Sequence, residues 1–323
     1  MKIALSPEEK LRGFIKFLDV KLHRRPLTVS IEVTKRCNAR CDFCDSWKIT
    51  DHREEMADFM EVVRRFDPLV VVLTGGEPML RRDLTAVVRR IRALPGFRYI
   101  TLLTHGGLLS QQRVRELIQA GVNQINISLN YPDARQDKER GIPGLFARLE
   151  RIVPKMASES AGIFTIASML MVDNLRDAES LVHLANCWGV HIAFSGYNDV
   201  KNGNQKHFVS EEQVQELRSV CRRLVRLKRD LGNIMTSDYF FETLPEFYEK
   251  RELGGCRAGQ IMLHVSPTGM VHPCAELPAI AHFTEFTAGA FRGTACGKCF
   301  DSCRAEPQAP VTLRRLGELV GLV

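Results

Sequence analysis

The chain has 323 residues, 45% of them hydrophobic, enough to bury the core of one large barrel or of a large domain with a smaller one. Its 45 Lys and Arg against 38 Asp and Glu give a net charge of +7. That is too mild, and too little interleaved with aromatic residues, to signal specific nucleic-acid binding. No apolar run reaches the roughly 18 residues of a membrane span, and the first ten residues hold no secretory signal, so a cytoplasmic protein is expected.

Ser6-Pro7-Glu8-Glu9 predicts a helix start, with Ser6 and Glu9 as a capping box and Pro7 in the first turn. Leu11, Phe14, Ile15, Leu18 and Leu22 then fall on one helical face, expected to be buried. Strands and helices alternate from there. The first strand carries Val29, Ile31 and Val33 and ends at Thr34, and a helix is expected over about 54–66. Leu69 to Leu73 is a continuous apolar run, the mark of a strand buried on both faces. Further strands are predicted at Tyr99 to Leu103, Val122 to Leu129, Phe164 to Met171 and His191 to Phe194, each separated from the next by a helical pattern. A long helix starts at the Ser210/Gln213 capping box and runs to about Leu231.

Six strand–helix units in a row imply a parallel sheet whose active site lies at the carboxyl ends of the strands. After about residue 235 the alternation stops, and a hairpin is predicted from Ile261 to His272, turning at Gly269. The expected division is a leading helix (1–26), an α/β unit (27–235) and a small cysteine-rich extension (236–323).

Eight of the ten cysteines fall in two groups, which in a cytoplasmic chain reads as metal or cluster ligation rather than disulfides. Cys37, Cys41 and Cys44 follow the first strand, spaced so that a compact loop can aim three thiolates at one cubane cluster and leave its fourth iron open. The competing reading is a structural zinc site, which usually takes four protein ligands. Cys256, Cys274, Cys296, Cys299 and Cys303 surround the predicted hairpin and compete for four places; Cys256, Cys274, Cys296 and Cys299 are the favoured set. A zinc ribbon is the alternative there. Cys187 and Cys221 lie in helical patterns and are expected to be buried small hydrophobes.

The triplet, with the aromatic Phe43 just before its last cysteine, resembles the signature of the radical S-adenosylmethionine (radical SAM) superfamily. Gly75-Gly76-Glu77-Pro78 after the second strand resembles its methionine-binding motif, and Ser128-Leu129-Asn130 its ribose-contacting fourth strand. The C-terminal cysteines resemble a Twitch extension, the shortened relative of the SPASM domain.

This resemblance implies a partial (β/α)6 TIM barrel with a small auxiliary-cluster extension. It implies a [4Fe–4S] cluster on Cys37, Cys41 and Cys44 that binds S-adenosylmethionine and cleaves it to a 5′-deoxyadenosyl radical. Gly75 and Gly76 would admit the cofactor's methionine end, Glu77 would accept from its amine, and Phe43 would pack near the adenine. A second, auxiliary [4Fe–4S] cluster would accept an electron, making the enzyme an oxidoreductase. It could instead chelate substrate or be merely structural.

The expected substrate is a small molecule, with a peptide-modifying maturase as the alternative. A reducing partner such as flavodoxin or ferredoxin is implied. A non-catalytic iron–sulfur or zinc protein is the reading from another class. Relatives commonly carry asparagine where this chain has His105, which is read as a core or loop histidine, and aspartate where it has Asn130. Residues 195–202 are expected to meet substrate, with Tyr197 or Asp199 as a possible base.

Overall fold

The computed structural model describes residues 5–51, 55–160, 162–286, 293–294 and 296–312. Helix α1 (Pro7–Leu22) has the expected capping box, with the Glu9 amide donating to Ser6 Oγ and the Ser6 amide to Glu9. Its apolar stripe, however, faces solvent: Leu11, Phe14, Ile15, Leu18 and Leu22 are 47–79% exposed. Lys16 and Val20 face inward instead. The reason is electrostatic. Lys16 Nζ reaches Asp67 at 2.5 Å, and Arg25 and Arg98 converge on the same carboxylate.

Burial alone would push the Asp67 pKa up, but the hydrogen bond and charge of Lys16, then Arg98 and Arg25, hold it below the usual aspartate range. A carboxylate with a depressed folded pKa stabilises the fold above its unfolded value of about 3.9, and that stabilisation disappears as pH falls through the folded value. Asp67→Asn is therefore expected to cost about 2 kcal/mol at neutral pH, and progressively less as pH falls through the lowered folded value, read as the denaturation midpoint against pH.

The sheet follows in strict order. It comprises β1 (Thr28–Thr34), β2 (Val70–Gly75), β3 (Tyr99–Thr104), β4 (Gln124–Ser128), β5 (Phe164–Leu170) and β6 (His191–Gly196), each parallel to its predecessor. Because consecutive strands are also spatial neighbours, every crossover helix lies on the same side. These helices are α2 (Met60–Phe66), α3 (Leu84–Arg92), α4 (Gln111–Ala120), α5 (Arg135–Arg140), α6 (Leu145–Glu159) and α7 (Ala178–Cys187). The result is an open arc of a (β/α) barrel, not a doubly wound sheet.

Alternation along each strand divides the two faces. Val29, Ile31, Val71, Leu73, Ile100, Leu102, Ile125, Ile127 and Ile166 are fully buried toward the helices. The opposite face is polar and partly open. Tyr99 Oη donates to Gln124 Oε1 at 3.1 Å, Gln124 Nε2 to Thr165 Oγ1 at 2.8 Å, and Asn126 Nδ2 to Thr101 Oγ1 at 2.5 Å. β2 is thus not buried on both faces as its composition suggested: Val70 and Val72 line the half-open concave side.

Helix α2 starts at Met60, where Asp58 Oδ1 accepts the Met60 amide; residues 55–59 are not helical, and residue 54, where the helix was expected to begin, lies outside the described residues. After α8 (Val214–Leu231), Ile234 bridges to Ile192 of β6, and α9 (Asp238–Lys250), not foreseen from the pattern, packs on α8. β7 (Met262–Val265) pairs parallel with β1, and β8 (Met270–His272) and β9 (Ala281–His282) extend the same sheet antiparallel. The predicted hairpin exists, with Gly269 at φ +80° in its turn, and it continues the barrel sheet. A short α10 (Ser302–Gln308) follows the last cysteines. No described helix is long and apolar enough to cross a membrane.

Candidate functional site

The carboxyl ends of β1 and β2 interlock. The Gly76 amide donates to the Thr34 carbonyl at 2.9 Å and the Glu77 amide to the Arg36 carbonyl at 2.7 Å. The approach is so close that a Cβ on Gly75 would sit 2.2 Å from the Thr34 oxygen, and one on Gly76 2.2 Å from the Arg36 oxygen. The two glycines let the second-strand turn lie directly against the backbone that leads into Cys37.

The Glu77 side chain is turned into the protein. It is 1% exposed, and its oxygens are fully engaged within the protein. Oε1 accepts from the Met79 amide (2.9 Å) and Thr104 Oγ1 (2.7 Å); Oε2 accepts from the His105 amide (2.9 Å) and lies 3.2 Å from His105 Nε2. His105 Nδ1 accepts the Gly107 amide at 3.0 Å, so the ring proton sits on Nε2, which faces Asn38 Oδ1 at 2.9 Å. Burial lowers the His105 pKa, outweighing the nearby Glu77 charge, which keeps this ring neutral. His105 is therefore not a lone core histidine. It ties Glu77 to Asn38, the residue after Cys37. Pro78 is buried at the start of a 3-10 turn, Pro78–Leu80.

The cysteine loop also rests on α5. The Arg40 amide donates to the Arg140 carbonyl at 2.7 Å, and Arg140 Nη1 lies 3.5 Å from Cys41 Sγ. The Arg140 guanidinium is buried, 5.3 Å from the Phe43 ring, and paired with Glu139 at 3.1 Å. Sequence reading missed Arg140, since a stretch of charged residues looks like a solvated helix. Burial, opposed by the Ala39 amide and aided by Glu77, Cys41 and Cys44, pushes the Cys37 thiol up to about 11. Burial likewise raises Cys41, against the opposing charge of Arg140. Thiols raised in this way, as Cys37 and Cys41 are, ionise together only beside a cation.

Ser128 is half-buried on the concave face, open to a ligand. Asn130 is not: it is 1% exposed, donating from Nδ2 to Glu139 at 2.7 Å and accepting at Oδ1 from the Met169 amide at 2.8 Å. Tyr197 is also engaged. Its hydroxyl donates to the Asn204 carbonyl at 2.7 Å, and burial together with Asp199 and Asp42 pushes it up to about 12, which makes it a poor base.

Cys274 directly follows β8, and burial pushes its thiol up to about 12. Burial, then Asp301, Cys274 and Cys256, raise Cys299 as well. Cys303, on the first turn of α10, also neighbours Cys274. Arg304, 1% exposed, fastens this region by donating to the carbonyls of Cys299, Leu253 and Gly254. Cys221 is buried as expected, but Cys187 is exposed at the end of α7. Among the described residues, no three Cys, His, Asp or Glu side chains converge tightly enough for a single metal ion. Tetrahedral zinc would require sulfurs about 3.8 Å apart at its 2.3 Å bond length.

Fold and site together define an α/β partial-barrel protein with an iron–sulfur-type thiol loop beside a glycine-lined cofactor turn. A family model described as the Radical SAM superfamily matches residues 31–185, just under half of the chain, and supports that class for this protein. Its members use a [4Fe–4S] cluster and S-adenosylmethionine.

Among curated proteins, the chain is 26% identical to a PqqA peptide cyclase of Methylocella silvestris, over 88% of this chain and 81% of that protein. It is 28% identical to a GTP 3′,8-cyclase of Aquifex aeolicus, over 62% of this chain and 65% of that protein, so the match spans less than two thirds of the Aquifex enzyme. The fold matches Streptococcus suis SuiB bound to S-adenosylmethionine, with TM-score 0.66 and 17% identity over 95% of this chain and 75% of that one. It also matches anSMEcpe with bound AdoMet, with TM-score 0.63 and 17% identity over 81% and 79%.

Proposed function

We propose that this radical SAM enzyme oxidises its substrate with the help of a second cluster held by the C-terminal cysteines. Cys37, Cys41 and Cys44 would hold the primary [4Fe–4S] cluster, which would supply the electron for reductive cleavage of S-adenosylmethionine. Gly75, Gly76 and Ser128 form the cofactor's protein surface, Phe43 its apolar side, and Glu77 holds the turn that carries them. The observation that carries the two-cluster reading is the grouping of Cys256, Cys274, Cys299 and Cys303 at the end of the hairpin that extends the same sheet. Cys296 and Cys303 compete for the fourth place. Residues 236–323 act in this reading as a Twitch-like extension, part of which lies outside the described residues.

A small-molecule substrate fits the half-open concave face. A peptide substrate is the second reading, favoured because the similarity that runs along most of the chain is to a peptide cyclase. A small acidic flavoprotein or ferredoxin is the expected electron donor.

The test is anaerobic reconstitution, reduction and addition of S-adenosylmethionine, with 5′-deoxyadenosine as the product sought. Two clusters correspond to about eight irons per chain. The Cys37/Cys41/Cys44 triple alanine variant is expected to keep about four irons and make no 5′-deoxyadenosine. Cys296→Ala and Cys303→Ala, made singly, tell which of the two holds the remaining iron. Loss of all iron from a folded triple variant would remove the second cluster. Zinc in the isolated protein with no 5′-deoxyadenosine would remove the catalytic reading.

A further inference from the structure

The loop that follows β6 directs its polar side chains at one target. Asn202 Nδ2 donates to the Phe43 carbonyl at 3.2 Å, and Asn204 Nδ2 to the Asp42 carbonyl at 3.1 Å. Lys206 Nζ lies 2.5 Å from Asp42 Oδ2. His207 bridges two carboxylates, with Nε2 3.0 Å from Asp42 Oδ1 and Nδ1 2.5 Å from Asp173 Oδ2. Its ring also meets Phe43 and Tyr197 edge-on, with centroids 6.1 and 5.7 Å apart. The Tyr197 hydroxyl fixes the base of the loop by donating to the Asn204 carbonyl.

Asp42 and Phe43 are the two residues between Cys41 and Cys44. Two of their main-chain carbonyls, which a short irregular loop cannot pair within itself, are met by asparagine amides brought from the far end of the six-strand run. We propose that Asn202, Asn204, Lys206 and His207 form a clasp that sets the position of Cys41 and Cys44, with His207 as its positioning residue. Asp173, in the 3-10 turn after β5, anchors the histidine from the other side. The clasp joins the loop after the sixth strand to the loop after the first, and so bridges the open mouth of the arc. Its catalytic meaning rests on the cluster assignment above; the clasp itself does not.

The decisive measurement needs no cluster. In the metal-free chain, the rate of iodoacetamide alkylation at Cys44 reports how firmly the loop is held. Cys221, 2% exposed in the core, serves as the internal control for general loosening. His207→Phe keeps an aromatic ring against Phe43 and Tyr197 but loses both carboxylate contacts. It is expected to speed Cys44 alkylation about tenfold, the scale of one hydrogen bond to a charged group, with Cys221 unchanged. His207→Gln should restore part of the protection.

In the reconstituted protein the same Phe variant should raise the KM for S-adenosylmethionine several-fold. It should also alter the electron paramagnetic resonance spectrum of the cofactor-bound reduced cluster, with iron content held. If Cys44 reacts at the parent rate, or accelerates only in step with Cys221, the clasp is refuted. If His207→Phe does not fold, Asn204→Ala and Lys206→Met carry the same readouts, at a half-buried and an exposed position. A parent protein that binds no iron would overturn the cluster reading while the alkylation result still decides the clasp.

Discussion

Replacing Gly76 with alanine is expected to dismantle the cofactor turn. The new methyl would sit 2.2 Å from the Arg36 carbonyl oxygen and 2.5 Å from that of Lys35. Both are backbone atoms, so no rotamer change relieves the clash. The turn must instead lift away from the loop leading into Cys37, breaking the Gly76–Thr34 and Glu77–Arg36 hydrogen bonds. A cost of about 3 kcal/mol is expected, at the upper end of overpacking penalties. Iron loading on the triplet should be lost in whatever protein still folds. Gly144→Ala is the fitting control: its φ is +72° but nothing lies within 4 Å of its added carbon, so only a backbone penalty of about 1–2 kcal/mol applies. Equal denaturation midpoints and equal iron for the two variants would contradict the interlock.

Glu77→Gln should be nearly as damaging, although it changes one atom. Both carboxylate oxygens meet donors: the Met79 amide and Thr104 hydroxyl on one side, the His105 amide and Nε2–H on the other. A glutamine must turn its NH2 toward one of these pairs, placing donor against donor in a buried site. The expected loss is about 3 kcal/mol. Because His105 also faces Asn38, the cysteine loop should loosen along with the turn. A thermal melt with iron content measured well below the transition separates the two effects. Unchanged stability would mean that Glu77 is freer than its surroundings indicate.

Much of the architecture is legible in the residues. The six strands, the capping boxes at Ser6 and Ser210 and the hairpin at Gly269 follow from periodicity and turn chemistry, which are local. What the sequence conceals depends on charge and on distant partners. The stripe of Leu11, Phe14 and Ile15 predicts the wrong inward face for α1, because the pull of Asp67 on Lys16 is invisible to a hydrophobic pattern. Glu77 and Asn130 read as ligand contacts by position, yet both are turned inward, since the donors that hold them come from β3 and β5. Arg140 is hidden by its charged neighbours along α5, and His207 by a loop whose partner lies over 160 residues away in the chain.

The pairing of β7 with β1 bears on how separable the cysteine-rich segment is. Thr28, Val29, Ser30 and Ile31 match Met262, Leu263, His264 and Val265 residue for residue. The strand that launches the triplet is therefore an interior strand only because the C-terminal segment covers it. A chain truncated near residue 235 would turn β1 into a bare edge, with a row of unpaired amides and carbonyls ready to recruit another molecule. The segment is thus a structural lintel as much as a ligand carrier. Any relative that lost it would need some other element to shield that strand from self-association.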